Sequence, residues 1–316
     1  MKRALVTGAA GFVGANLVRH LLNSGHAVHI ICRSESNFWR LDDIKNDLQI
    51  HHVPLTDAET LRVCLQKKVR PDWVFHLAAH GAYSWQNDLE RIVSTNVLGT
   101  ANLLSSCTKI GCEAFVSAGS SCEYGYKAHA PKEDEWLDPN SDYAITKAAA
   151  THFCRLYAQK HSLPTVILRL YSVYGPFEDK DRLIPTIIRH GLEGKLPPLV
   201  DPMIARDFIY IDDAISAFIA AATKEIKPGS VYNLGTGKQT SLRDVVAVAR
   251  EIFDIKQEPQ WGSMPNRRWD TSVWVANNEK ICRELDWRSK FTFKDGLLET
   301  VKWHKQQVEL AAIKNR

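Results

Sequence analysis

Arg3-Ala4-Leu5-Val6-Thr7-Gly8-Ala9-Ala10-Gly11-Phe12-Val13-Gly14 begins as a short apolar run and breaks into three glycines at three-residue spacing. From Ala15 to Asn23 apolar residues recur at helical spacing (Leu17, Val18, Leu21, Leu22). The order is therefore strand, glycine-rich turn, helix. In that order the glycines let backbone come close to a pyrophosphate, and the helix N-terminus turns its amide dipoles on the anion. A glycine motif alone is weak; directly after a first strand it is specific.

Downstream the same alternation continues. Ala27–Cys32, Gln49–Val53, Trp73–Leu77, Ala114–Ser117 and Thr165–Leu170 read as apolar strands. Ala58–Lys67, Asn96–Lys109 and Ser141–Lys160 read as helices between them. Such alternation predicts an α/β fold with a doubly wound parallel sheet. Past residue 170, prolines at 176, 185, 197, 198, 202 and 228 mark loops, and Leu242–Phe253 and Gly296–Val308 read as helices. The expected division is a dinucleotide-binding domain over 1–168, also receiving about 208–234. A smaller α+β cap over 169–207 and 235–316 completes it.

With 316 residues, 45% hydrophobic and 24% charged, the composition is that of an ordinary globular chain. The net charge of +4 comes with no basic tract, so nucleic acid is not expected and an anionic small substrate fits. No apolar run approaches membrane-span length, and the first strand is too short for a signal peptide. Seven cysteines form no Cys-x-x-Cys pair, which reads as reduced thiols in a cytoplasmic protein. His76 and His80 are four apart, but no third ligand accompanies them, so no metal is expected.

Tyr143-Ala144-Ile145-Thr146-Lys147 carries the chemistry. On a helix Lys147 lies one turn after Tyr143, and its ammonium would pull the phenol's pKa down from about 10. With nine tyrosines, and lysine at roughly one residue in fifteen, about half a match is expected by chance, so context decides. Strand Ala114–Ser117 leads into Ala118-Gly119-Ser120-Ser121-Cys122-Glu123-Tyr124-Gly125. Ligands of open parallel sheets bind beyond the carboxyl ends of strands, which places a serine there beside the tyrosine.

Six segments together resemble the extended short-chain dehydrogenase/reductase family that modifies nucleotide-sugars. They are Gly8-x-x-Gly11-x-x-Gly14, Leu77-Ala78-Ala79, Asn96-Val97-Leu98-Gly99-Thr100, Tyr143-x-x-x-Lys147, Val173-Tyr174-Gly175-Pro176 and Arg206-Asp207-Phe208-Ile209-Tyr210-Ile211-Asp212-Asp213. The resemblance implies a Rossmann-like fold, Tyr143 as acid/base, Lys147 on the nicotinamide ribose, and Ser120 on the reacting sugar oxygen. It implies cofactor contacts at Thr7, Gly8, Gly11, Phe12, Val13, Gly14, Arg33, Ser34, Leu55, Leu77, Ala78, Ala79, Asn96, Tyr143, Lys147 and Tyr171. Substrate contacts are implied at His80, Tyr83, Ser121, Cys122, Glu123, Ser172, Arg206 and Arg267, with Arg206 and Arg267 pairing with the nucleotide pyrophosphate. It also implies a homodimer through the helices 96–109 and 141–160.

Within the family, Ser120-Ser121-Cys122-Glu123-Tyr124-Gly125 is similar to the nucleotide-linked 4-keto-6-deoxysugar reductases. It also resembles GDP-fucose synthase, whose epimerising cysteine matches Cys122; that enzyme's histidine would fall near Arg182, so Cys122 is read as a wall residue. Dehydratases place an Asp-Glu pair after the serine or threonine, and no aspartate precedes Glu123. The second strand ends Cys32-Arg33-Ser34, where NAD-using members carry an acid for the ribose hydroxyls. Arg33 with Ser34 would hold a 2′-phosphate. The expectation is NADPH-dependent reduction at C4, with NADP as cofactor and NAD the alternative. The rival readings are an NAD-retaining 4-epimerase, a 4,6-dehydratase, and a nucleotide-binding regulator without turnover.

Overall fold

The computed structural model describes residues 1–83, 85–266 and 271–314, with side chains to residue 310. In chain order its first half runs β1 (Arg3–Thr7), α1 (Phe12–Asn23), β2 (Ala27–Cys32), β3 (Gln49–His52), α2 (Ala58–Cys64), β4 (Trp73–His76), α3 (Leu89–Val93), α4 (Gly99–Ile110), β5 (Ala114–Ser120), α5 (Asp142–His161) and β6 (Thr165–Leu170). The remainder is β7 (Ser172–Tyr174), α6 (Leu183–Leu192), β8 (Ala205–Arg206), β9 (Phe208–Tyr210), α7 (Ile211–Thr223), β10 (Ser230–Leu234), β11 (Thr240–Ser241), α8 (Leu242–Phe253), α9 (Glu279–Glu284) and α10 (Phe293–Lys314).

Seven strands form one sheet in the order β10-β6-β5-β4-β1-β2-β3, every pair parallel. Each strand alternates its side chains between two apolar layers. Ala4, Val6, Ile30, Phe75, Val116 and Leu168 face a core shared with α1 and α7. Leu5, Ile31, Val74, Phe115 and Ile167 face the other, shared with α2, α4 and α5. Burial on both faces explains why the strands read as continuous apolar runs. The strand order reverses between β1 and β4, the switch point where ligands of such sheets bind.

Two departures from the sequence reading have physical causes. The helix expected from Asn96 begins at Leu89, because one widened turn at Ser94–Leu98 breaks the 3.6-residue period and leaves Leu89 and Val93 exposed. Helices α6 and α7 also lie in the stretch that prolines and short apolar runs made look irregular. Segment 230–234 returns to the large sheet as its edge strand beside β6. Among the described residues no helix is long and apolar enough to cross a membrane, and no three metal-ligating side chains cluster.

Candidate active site

The glycine turn sits at the switch point. Gly8 adopts φ +71, and a Cβ there would meet Ala78 N at 2.6 Å, so β1 and the end of β4 pack too closely for any side chain. At Gly14 a Cβ would lie 2.2 Å from Gly8 O. Gly11 differs: its φ of −77 suits any residue, and the one neighbour of a Cβ is Gly8 O at 3.1 Å. Internal packing therefore does not demand a glycine at 11, whereas close approach of a bound group would. Helix α1 starts there with no side-chain cap and no acid in its first turn, leaving its amides for an anion. A dinucleotide's diphosphate fits this cradle. Phe12 and Val13, half-buried, begin the helix.

Behind the turn lies a buried polar chain. Ala78 N–H donates to Thr7 Oγ1 (3.3 Å), and Thr7 Oγ1 pairs with His76 Nδ1 (2.7 Å). His76 Nε2 pairs with Thr100 Oγ1 (2.8 Å), which donates to Asn96 O (2.6 Å). Because Thr100 gives its proton to a carbonyl, His76 must be protonated on Nε2 and accept from Thr7 on Nδ1. Full burial holds the imidazole pKa down to about 3. Asn96 is likewise engaged within the protein: Oδ1 accepts from His80 N, and Nδ2 donates to His80 O and Thr146 Oγ1. Thr7 and Asn96, expected to touch the cofactor, instead position the elements that frame it, since both are buried with protein partners. His80 is held by its backbone in the same network.

The turn after β5 is built around a buried charge. Ser120 N–H donates to Glu123 Oε1 (2.8 Å), and Cys122 N–H donates to Ser120 Oγ (3.2 Å), a reciprocal capping box. With its oxygen accepting from that amide, Ser120 has its proton free to give away. Glu123 Oε2 accepts from Thr151 Oγ1 (2.9 Å) and Arg169 Nε (2.8 Å). Glu123 is fully buried, so the substrate contact expected of it is corrected: it fastens the turn to α5 and β6. An arginine inside the apolar strand Leu168-Arg169-Leu170 was the sequence signal for such a partner.

Tyr143 and Lys147 occupy the first turns of α5, which Ser141 caps through Ala144 N–H (3.2 Å). Burial is the largest influence on the Tyr143 phenol and pushes its pKa up, while Ser120 beside it and the Arg182 charge pull it down. The phenol is therefore not the low-pKa group that the Tyr/Lys spacing alone suggests. Lys147 is itself buried, and desolvation lowers its ammonium pKa while the Glu123 charge raises it. Cys122 is pushed up by burial, which disfavours a thiolate base and suits a wall residue.

On the substrate side, Tyr83 stacks on Trp85 (5.4 Å) and carries the Arg182 guanidinium over its ring (4.6 Å). Ser121 Oγ accepts from Trp274 Nε1 (3.1 Å), and Arg206 lies over the Trp274 ring (5.5 Å). Trp274 was not singled out by the sequence, because its loop has no periodicity to place it. Tyr171 is buried beside Ser121 and Trp274, and Ser172 is half-buried at the start of β7. Leu55 packs on Gly99, where a Cβ would meet it at 3.0 Å. Arg267 lies outside the described residues.

The end of β2 does not form the 2′-phosphate clamp expected there. Arg33 is about half exposed and pairs with Glu35 (3.3 Å), whose carboxylate also accepts from Ser34 Oγ (3.4 Å).

Residues 4–235 match the NAD dependent epimerase/dehydratase family. A dTDP-glucose 4,6-dehydratase of Streptomyces griseus is 30% identical over 310 residues, spanning 95% of this chain and 93% of that protein. A UDP-glucose 4-epimerase of Thermotoga maritima, solved with UDP-glucose, superposes with TM-score 0.86 at 26% identity, covering 96% and 99% of the two chains. A UDP-glucuronic acid 4-epimerase of Bacillus cereus, solved with UDP-glucuronic acid and NAD, gives 0.84 at 30% identity over 96% and 99%. Fold, glycine turn, Tyr143-x-x-x-Lys147 helix and these matches agree: the chain belongs to the NAD dependent epimerase/dehydratase family.

Proposed function

We propose that the protein carries out hydride exchange at C4 of a nucleotide-diphosphate hexose, with NAD as cofactor and 4-epimerisation as the outcome. The observation that carries this is Ser120 at the carboxyl end of β5 next to Tyr143 in the first turn of α5, with buried Lys147 one turn on. In that arrangement Tyr143 takes the C4 hydroxyl proton and later returns it, while Ser120 hydrogen-bonds the same oxygen. NAD when bound supplies the hydride acceptor and a positive ring that offsets the burial of the phenolate. Lys147 holds the ribose beside it. Retained NAD and 4-epimerisation are supported by the solved relatives.

Dehydration has less support from the geometry. Ser121 and Cys122 follow Ser120 where a dehydratase has its acid pair, and Glu123 is closed off by Arg169 and Thr151.

A second reading, NADPH-dependent reduction of a 4-keto-6-deoxyhexose, is favoured by one observation: β2 ends in Arg33-Ser34 with no acid for the ribose hydroxyls. The assignments of Arg206 to the pyrophosphate and of the α4/α5 face to a homodimer belong to this proposal. Leu98, Ile145 and Leu156 are exposed in keeping with such a face. A cytoplasmic setting, suited to free thiols, goes with it.

Incubation with UDP-glucose or UDP-glucuronic acid and no added cofactor, followed by NMR of the sugar, decides between them. Formation of the C4 epimer supports the first reading. Turnover confined to a 4-keto sugar with NADPH supports the second, and turnover of neither removes the proposal.

A further inference from the structure

One carboxyl at the mouth of the crevice has no part in the chemistry above. Between β7 and α6, residues 175–182 run as a strap across the cleft. Pro176 O accepts from Asn16 Nδ2 on α1 (3.0 Å), and Phe177 O accepts from Arg40 Nε (2.7 Å). Arg40 Nη1 continues to Ala10 O in the glycine turn (3.3 Å). At its far end the strap holds the loop after β4, through Arg182 Nη2 on Ala82 O (3.4 Å) and the guanidinium over Tyr83 (4.6 Å). The two walls of the crevice are thus tied together above the glycine turn.

Glu178 lies midway along this strap. Its Oε2 is buried and has no hydrogen-bond partner. The groups that face it are Arg40 from the segment after β2, Asp179 and Arg182 from the strap, the Gly175 amide, and Tyr83 from the loop after β4. A buried carboxylate with one oxygen unpaired is costly, and the group relieves that cost by keeping its proton. Burial and Asp179 push the carboxyl up to about 8, against the opposing pull of Arg182, the Gly175 amide and Arg40. A neutral carboxylic acid is a hydrogen-bond donor. A buried oxygen without a partner, in the field of two arginines and on a strap tied to the glycine turn, suits an anionic oxygen acceptor once it carries a proton.

We propose that Arg40 and protonated Glu178 form a second, strap-borne contact to the diphosphate of the dinucleotide, additional to the amides of the glycine turn. This rests on the reading of the crevice as a dinucleotide site. Binding is then linked to one proton: the bound diphosphate favours the acid form, so affinity is full below the free carboxyl's pKa. It falls by about tenfold per pH unit above it.

The test is NADH titration of the full-length protein, followed by energy transfer from its tryptophans, between pH 6.5 and 9.5, with UDP titrated in parallel. Wild type is expected to hold NADH evenly up to about pH 8 and then lose affinity with unit slope. Glu178→Gln, whose amide donates without titrating, should bind NADH with no falling limb. Arg40→Gln should weaken NADH by about tenfold at every pH and leave UDP unchanged, which also verifies folding. A flat wild-type profile, a falling limb that survives in Glu178→Gln, or a limb carried by UDP instead of NADH overturns the inference. Absence of NADH and NAD binding at every pH, with UDP binding intact, would instead remove the dinucleotide reading on which it rests.

Discussion

Arg169 Nε lies 2.8 Å from Glu123 Oε2, with 3% and 0% of the two side chains exposed, directly behind the turn that presents Ser120. The pair joins β6 to the catalytic turn, and Thr151 adds α5 to the same carboxylate. Truncating either partner strands the other charge in the core. Glu123→Ala is expected to lower unfolding free energy by about 3–5 kcal/mol, measured by urea denaturation. A loss below about 1 kcal/mol, the range of exposed pairs, would show that water reaches the pair.

Tyr143→Phe removes the exchangeable proton and little else. The expected outcome is a fall in kcat of roughly 10²–10⁴-fold, with NAD and UDP affinities within about a factor of two, read by stopped assays and calorimetry. Because burial holds the phenol's pKa up, the phenolate fraction grows with pH. Oxidation of the C4 hydroxyl in wild type should therefore accelerate as pH rises. A rate independent of pH would take Tyr143 out of the proton-accepting role.

Gly11 and Gly14 should fail differently. A Cβ at Gly14 would sit 2.2 Å from Gly8 O, so Gly14→Ala is expected to yield little folded protein. At Gly11 the one close atom is Gly8 O at 3.1 Å, a distance the turn can relax by a few tenths of an ångström. Gly11→Ala should keep its thermal midpoint within a few degrees and lose at least about tenfold in NAD affinity, on the order of 1.4 kcal/mol. Unchanged affinity would mean that no ligand approaches that backbone.

His76 sets a pH limit on stability. Its folded pKa is depressed to about 3 against an ordinary value of 6.5. Between those values the unfolded chain binds a proton that the folded chain refuses, so stability is full above about pH 6.5 and drains as pH falls towards 3. The slope is about 1.4 kcal/mol per pH unit within that window. Denaturation series at pH 7 and pH 5 should differ accordingly for wild type, and the His76→Gln variant should lose this part of the difference.

Trp274→Phe keeps the ring under Arg206 and removes only the indole N–H given to Ser121. A neutral hydrogen bond contributes about 1 kcal/mol, so KM for the nucleotide-sugar should rise about fivefold with kcat little changed. An equal fall in kcat would indicate that Ser121 orients Ser120 for the chemical step.

The glycine turn and the Tyr143/Lys147 pair were legible in the chain because each is local. Strand, turn and helix follow one another within residues 3–23, and the pair spans one helical turn. The first six strands and most of the helices between them were legible too, since two-sided burial leaves unbroken apolar runs in most of them. Helices α6 and α7 were not, because prolines and short apolar stretches disguise their period. The start of α3 was hidden by the widened turn at Ser94–Leu98.

By itself, then, the sequence determined the fold class, the place of the glycine turn, and the candidates for the acid/base pair. Only the tertiary structure decided which polar residues face the crevice and which hold it up. Thr7, Asn96 and Glu123 carry the same donors and acceptors as ligand-binding residues, and they differ only in what lies opposite them. Residues 69 apart pair Thr7 with His76, and 46 apart pair Glu123 with Arg169. Whether a buried polar group serves a ligand or the protein depends on whether another part of the chain arrives to satisfy it, and sequence spacing does not encode that arrival.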